Sequence, residues 1–264
     1  MKTSSFSDKS NVSLVITSCG RFNLLEKTLS SFFSNNTCPI RKLIIIEDSG
    51  DDAVLSLIPE KFKKYCTIIV NTKKLGQIKS IDKAYSLVDT DYIFHCEDDW
   101  EFYRGGFIED SLRVLESNKY VYQVWLRSFY HDIKRDYPFH SLGEKFSCDK
   151  TVYNKLLSSN PKWQGFSFNP GLRRKSDYLS IKGGYASFLD ESNSSASVES
   201  ALSSNMKSLG MYAAILENDA VAHTGYDSHI QDINEKKKSR KKKKQKILIA
   251  LVVFLVGLVS GLLI

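Results

Sequence analysis

Three adjacent acids, Glu97-Asp98-Asp99, close the apolar run Tyr92-Ile93-Phe94-His95-Cys96. A run that apolar reads as a buried strand. Three carboxylates crowded at its end repel one another unless something positive sits among them. A divalent cation meets that need with few protein groups. Carboxylate oxygens suit Mg²⁺ or Mn²⁺, and a site with few protein ligands leaves positions for substrate phosphates. For the cluster taken alone, the alternative is a solvated acidic turn.

The surrounding pattern says what must position these acids. Val12 to Thr17 is an apolar strand, followed by a helix that Asn23 caps and whose apolar positions Leu24, Leu25, Leu29, Phe32 and Phe33 recur at helical spacing. Lys42 to Ile46 is a second buried strand, Val54 to Phe62 a short helix, and Thr67 to Val70 a third strand. A helix from Gly76 to Val88 leads to the fourth strand, Tyr92 to Cys96. This strand–helix alternation predicts an α/β fold, a mostly parallel sheet with helices on both faces. Ligands collect at the carboxyl ends of such strands. Ser18-Cys19-Gly20-Arg21, Glu47-Asp48-Ser49-Gly50 and Glu97-Asp98-Asp99 all fall at that edge. Further on, Phe107 to Ser117 and Ala196 to Leu209 read as helices, and Tyr120 to Leu126 and Met211 to Leu216 as strands. Arg127 to Pro161 reads as irregular.

Composition narrows the class. The 264 residues carry a formal charge of +7, but nine Lys and Arg lie between Lys236 and Lys246, and subtracting them leaves −2. The folded body is mildly acidic, so nucleic acid is not an expected partner. Five scattered cysteines with no C-x-x-C pair fit a reducing compartment and argue against a disulfide framework or a zinc site. Ile247 to Ile264 is 18 residues without a charge, about 27 Å long as a helix. With the basic run directly before it, it reads as a single-pass C-terminal membrane anchor that leaves the large domain facing the cytoplasm. Gly257 and Gly261 form a G-x-x-x-G pair, from which a helix-mediated dimer is an expectation. The organisation expected is a flexible N-terminus (1–11), one catalytic domain (12–230), a basic linker (231–246) and the anchor (247–264).

Together the motifs resemble those of the family-2 inverting glycosyltransferases with the Rossmann-like GT-A fold, over roughly residues 12 to 225. Ser13-Leu-Val-Ile-Thr-Ser-Cys-Gly-Arg21 resembles their opening strand and nucleotide loop. Ile44-Ile-Ile-Glu-Asp-Ser49 resembles the second strand with its acidic pair, and Asn71 to Ala84, with Gly76, the helix entry after the third. Glu97-Asp98-Asp99 resembles the D-x-D metal motif, with Glu97 in place of the usual Asp. Ser197-Val-Glu-Ser200 resembles the segment that keeps the catalytic carboxylate, with Ser200 replacing the second acid.

The resemblance implies a nucleotide-sugar donor, a glycan or other hydroxyl acceptor, and Mn²⁺ or Mg²⁺ as cofactor. Thr17, Ser18 and Arg21 would line the base and ribose, Asp48 would accept from a base N–H, Gly76 would open the adjoining helix, and Asp98 would meet the ribose. Asp99, Glu97 and His223 would hold the metal. Trp163 would either offer an aromatic platform to a sugar or pack as an ordinary core aromatic, and Gly183-Gly184 would form a loop near the donor sugar. Glu199 would be the base, with Asp190 and Glu191 as competitors. Two other classes stay open at this point: a nucleotidyltransferase, which would normally show a glycine-rich basic loop near the N-terminus, and a non-catalytic, membrane-tethered nucleotide-sugar- or glycan-binding module.

Overall fold

The structure is a computed structural model describing residues 1, 5–192 and 194–226. Its strands are β1 (Val12–Ser18), β2 (Leu43–Glu47), β3 (Cys66–Val70), β4 (Tyr92–Glu97), β5 (Trp100–Phe102), β6 (Val121–Trp125), β7 (His140–Cys148), β8 (Thr151–Ser158), β9 (Gly171–Arg174), β10 (Tyr212–Leu216) and β11 (Val221–His223). Its helices are α1 (Phe22–Asn35), α2 (Gln77–Tyr85), α3 (Phe107–Ser117), the short α4 (Lys134–Asp136) and α5 (Lys175–Leu179), and α6 (Ser195–Ser208). Nine strands form one sheet in the order β3-β2-β1-β4-β9-β6-β10-β8-β7, and β5 and β11 form a small second sheet.

The α/β expectation holds, but the sheet is mixed. β3, β2, β1 and β4 pair in parallel, whereas β9 lies antiparallel between β4 and β6, and β8 antiparallel to both β10 and β7. The period of two along each central strand builds two cores. Leu14, Ile16, Leu43, Ile45 and Phe94 face α1 and α3, where Phe32, Phe102 and Phe107 pack edge to face or tilted. Val15, Ile44, Ile46 and Ile93 face α2 and α6, against Ile81, Tyr85, Leu202 and Met206. Burying such a side chain fully is worth roughly 1.5–3 kcal/mol.

Several local expectations are corrected. Residues 127–161 are not irregular: they hold the hairpin β7–β8, in which Phe146 stacks on Tyr153 at 5.2 Å. β7 is an edge strand with many exposed polar residues, so its alternation is faint in the sequence. The helix expected over 54–62 is two 3₁₀ turns, Asp52–Leu57 and Glu60–Tyr65, separated by Pro59, which holds an extended ψ of 141° and cannot continue a helix. Helix α1 starts one residue before Asn23, with Arg21 in the capping position and no side-chain cap. Among the described residues no helix is long and apolar enough to cross a membrane; the stretch 247–264 and the basic run before it lie outside them.

Candidate active site

The carboxyl ends of β1, β2 and β4, the turn entering α2 and the start of α6 surround a cleft of ≈ 390 Å³, a size typical of sites that take small ligands. Thr17, Ser18, Cys19 and Arg21 form one wall with Asp48 and Lys74. Glu97, Asp98 and Asp99 lie on the floor. Glu199, Phe168, Asn169, Tyr137 and His223 line the cleft as well.

The acidic turn is fixed from two sides. Thr28 on α1 donates from Oγ1 to the Asp98 carbonyl (2.9 Å) and accepts from the Trp100 amide (3.0 Å). The β5–β11 pairing sets Trp100 opposite His223, and Thr224 N donates to the Asp99 carbonyl (2.9 Å). His223 Nε2 consequently lies 3.3 Å from Asp99 Oδ2. A Cβ at Gly225 would come within 2.3 Å of that same Oδ2, so the chain can pass so close to the acid only as glycine.

The charges on the floor are arranged unequally. Arg21 bonds Asp98 through Nη2 and meets Asp99 Oδ2 through Nη1 at 2.7 Å. Burial raises the Asp98 carboxyl to about 6 although Arg21 opposes it. Burial also acts on Asp99, but the His223 and Arg21 contacts outweigh it and hold Asp99 below the ordinary carboxylate value. Glu97 is pushed up to about 8 by burial and by the neighbouring Asp99 and Glu199 charges. Its oxygens accept from Gln77 Nε2 (2.7 Å) and Trp100 Nε1 (3.3 Å). Asp99 is therefore the member of the trio with an open ligating oxygen, since its Oδ1 is buried without a partner. That orphaned oxygen and the adjacent imidazole fit a divalent cation with two protein ligands; among the described residues no third His, Cys, Asp or Glu joins them as a complete cage. Glu97, expected among the ligands, is instead engaged by α2 and β5.

Asp48 differs from its expected role as a free acceptor. Its Oδ1 accepts from Asn71 Nδ2 and Leu75 N, and its Oδ2 from Gly76 N, each at 2.8 Å. Three of about four acceptor positions are taken, and the side chain holds the turn that starts α2 while still lining the cleft. Glu47, the other member of that acidic pair, is fully buried and ties the two neighbouring loops together by accepting from Gly20 N (2.9 Å) and Ser49 N (2.7 Å).

Across the cleft, Ser194 caps α6 by accepting from Ser197 N at 3.2 Å. This places Glu199 in the second turn, pointing back toward segment 166–168. Its Oε1 accepts from Phe168 N (2.7 Å) and Ser167 Oγ (3.1 Å), while Oε2 makes no hydrogen bond among the described residues. Burial raises this carboxyl to about 7 against the pull of those two donors. Asp190 and Glu191 are exposed and do not line the cleft, and Ser200 bonds the Lys162 carbonyl.

Four expected site residues lie off the cleft. Trp163 packs among Trp125, Tyr137, Phe139 and His140 and donates to the Phe166 carbonyl, so it is a core aromatic. Gly183 and Gly184 turn tightly over α2; a Cβ at Gly184 would strike the Asp82 carboxylate at 2.8 Å. Gly76 stands at the entry of α2, with its amide given to Asp48. Conversely, Lys74, Gln77, Tyr137, Phe168 and Asn169 line the cleft unexpected. Lys74 had a signal in its place just before Gly76; Tyr137 lay in the stretch read as irregular.

The sequence profile described as Glycosyl transferase family 2 matches residues 13–175. The chain belongs to this family. The transferase is also similar in fold to solved structures at 12% identity. A mannosyltransferase from Pyrobaculum calidifontis, in complex with GDP-Man and Mn²⁺, superposes with a TM-score of 0.56 over 80% of this chain and 56% of that one. Residues 1–349 of S. aureus TarS give 0.55 over 82% and 61%, and a second TarS structure 0.59 over 81% and 37%. The chain thus spans less than two thirds of each of these proteins. No curated protein matches the sequence significantly. The family match ends before Glu199 and His223, so those two enter the site on geometry.

Proposed function

We propose that this glycosyltransferase moves a sugar from a nucleotide-sugar donor to an acceptor hydroxyl in a single displacement with inversion, using Glu199 as the base. One observation carries the reading. A carboxyl with one oxygen fixed, the other free of hydrogen bonds and its proton held near neutral pH stands across one cleft from the Asp98-Asp99 floor. A base works best when its proton affinity lies near the working pH. Trp163 and the Gly183-Gly184 turn have no part in this reading.

The donor diphosphate lies toward Arg21 and Lys74, whose cations meet the charge that grows on the leaving group. Thr17, Ser18 and the edge of Asp48 line the nucleoside end. Glu199 Oε2 takes the acceptor proton as that oxygen bonds the anomeric carbon, and the carbon–phosphate-oxygen bond breaks on the opposite side, its electron pair leaving with the nucleoside diphosphate. Asp99 and His223 would hold Mn²⁺ or Mg²⁺, which supplies Lewis-acid neutralisation of the diphosphate when bound. Residues 247–264 are read as the anchor that keeps this domain at a cytoplasmic membrane face.

The test is thermal stabilisation of the full chain by a panel of nucleotide-sugars, with and without Mn²⁺, followed by transfer assays on those that bind. Ligand at about 100 times its Kd adds roughly 2.7 kcal/mol to stability. A chain that no nucleotide-sugar stabilises and that transfers no sugar would refute the assignment. Binding without transfer, unaffected by Glu199→Gln, would leave a donor-binding module.

A further inference from the structure

Behind the Glu199 wall lies a second buried ion. Arg173, on β9, is 2% exposed, and among the described residues it forms no ion pair. Its surroundings are neutral: Tyr85 and Tyr185 lie beside it and Phe166 beneath its guanidinium at 5.4 Å. Nearby His95 is fully buried with neither ring nitrogen bonded, and burial together with the Arg173 charge keeps it neutral. Guanidinium Nε and Nη1 make no hydrogen bond. An uncompensated buried cation is expensive, so its position calls for a counter-charge close by.

Beside its contact with the Tyr185 hydroxyl, its bond to the main chain leads there. Arg173 Nη2 donates to the Ser167 carbonyl at 3.1 Å. Gln123 on β6 grips the same residue twice, Nε2 to its carbonyl at 2.7 Å and Oε1 from its amide at 3.1 Å. Ser167 Oγ and the next amide, Phe168 N, are the two donors that hold Glu199 Oε1. The amide of Phe166 is in turn held by Ser203 Oγ on α6 at 2.8 Å. Segment 166–168 is thus a rigid bridge with a cation on one side and the proposed base on the other.

We propose that Arg173 is a positioning residue that, through the Ser167 bridge and by its charge, holds Glu199 in place as a carboxylate. The charged groups acting on Glu199 are Arg173 on β9, Arg127 just beyond β6, and Glu97 at the end of β4. The first two favour its ionised form; burial and Glu97 oppose it. This inference rests on the reading of Glu199 as base, yet its central measurement needs neither donor nor acceptor.

The experiment follows the Glu199 carboxyl-carbon NMR titration in the full chain, assigned by its loss in Glu199→Gln, beside the pH profile of kcat. In Arg173→Gln both midpoints should move upward by about one pH unit, which makes transfer about tenfold slower below the new limb, with donor KM unchanged. Arg173→Lys, which keeps the charge, should leave the midpoints near the wild-type position. Should Arg173→Gln not fold, Ser167→Ala, which removes the Oγ that donates to Glu199 and accepts from Asn169 N, should still raise the Glu199 midpoint. Unmoved midpoints in the variants, with kcat lowered equally at every pH, would make Arg173 a packing residue and overturn the proposal. A moved NMR midpoint in a chain with no transferase activity would sustain the Arg173 link and sink the function assigned to Glu199.

Discussion

Glu199→Gln separates chemistry from architecture. The glutamine carbonyl can keep both bonds that Oε1 accepts, from Phe168 N and Ser167 Oγ, so the bridge should survive. The proton acceptor is lost, and transfer should fall by about 10²–10⁴ in kcat, the usual scale for general-base removal. Stability should change in the opposite direction. The folded protein holds the Glu199 proton more tightly than the unfolded chain does, at about 7 against the ordinary 4.5. Its contribution to stability is therefore full below about 4.5 and is lost as pH rises through about 7. At pH 8 the ionised side chain costs up to roughly 3 kcal/mol, a cost the neutral amide does not carry. Urea unfolding at pH 5 and pH 8 should show the variant gaining most at the higher pH, while single-turnover transfer shows the loss in rate. A variant with wild-type kcat, or one destabilised most at pH 8, would refute the placement of Glu199 as a half-buried, functional carboxylate.

Asp99→Asn should lose at least tenfold in Mn²⁺-dependent donor affinity while remaining folded; donor binding indifferent to both the substitution and a chelator would remove the metal assignment. Gly225→Ala forces a Cβ toward Asp99 Oδ2, so it should weaken Mn²⁺ dependence in the same titration, and an unchanged response would show that the close approach has no functional part. Thr28→Val removes two buried bonds at the acidic turn and should cost about 1–3 kcal/mol in denaturant unfolding; no loss would mean that the turn is held from β11 alone. For the proposed anchor, the intact protein should resist high salt and come off membranes with detergent, because screening weakens only the lysine attraction of about 1 kcal/mol each. Release by salt alone would reduce the tail to a peripheral tether, and protection from cytoplasmic protease would reverse the orientation.

The sequence by itself determined the parallel strands β1 to β4 and the edge where chemistry gathers. Runs such as Leu43–Ile46 and Tyr92–Cys96 are short and apolar enough to read as buried strands, and chain order then puts Ser18–Arg21, Glu47–Asp48 and Glu97–Asp99 at one sheet edge. These are local signals, set by side-chain hydrophobicity and the period of the backbone. Strand β9 was not legible, because Arg173 and Arg174 look like a solvated segment until β4 and β6 close on them from both sides. The partners of each acid were also decided by the tertiary structure alone. Nothing in the spacing told Asp48, turned inward onto Leu75 and Gly76, from Asp99, left with an open oxygen beside His223. Trp163 and Glu199 were both candidates in the sequence; packing sent one into an aromatic core and aimed the other at the cleft. Hydrogen bonding and burial at a site depend on which distant segments meet there, here β11 against β5 and segment 166–168 against α6. Such contacts, tens of residues or more apart in the chain, leave no period in the sequence to read.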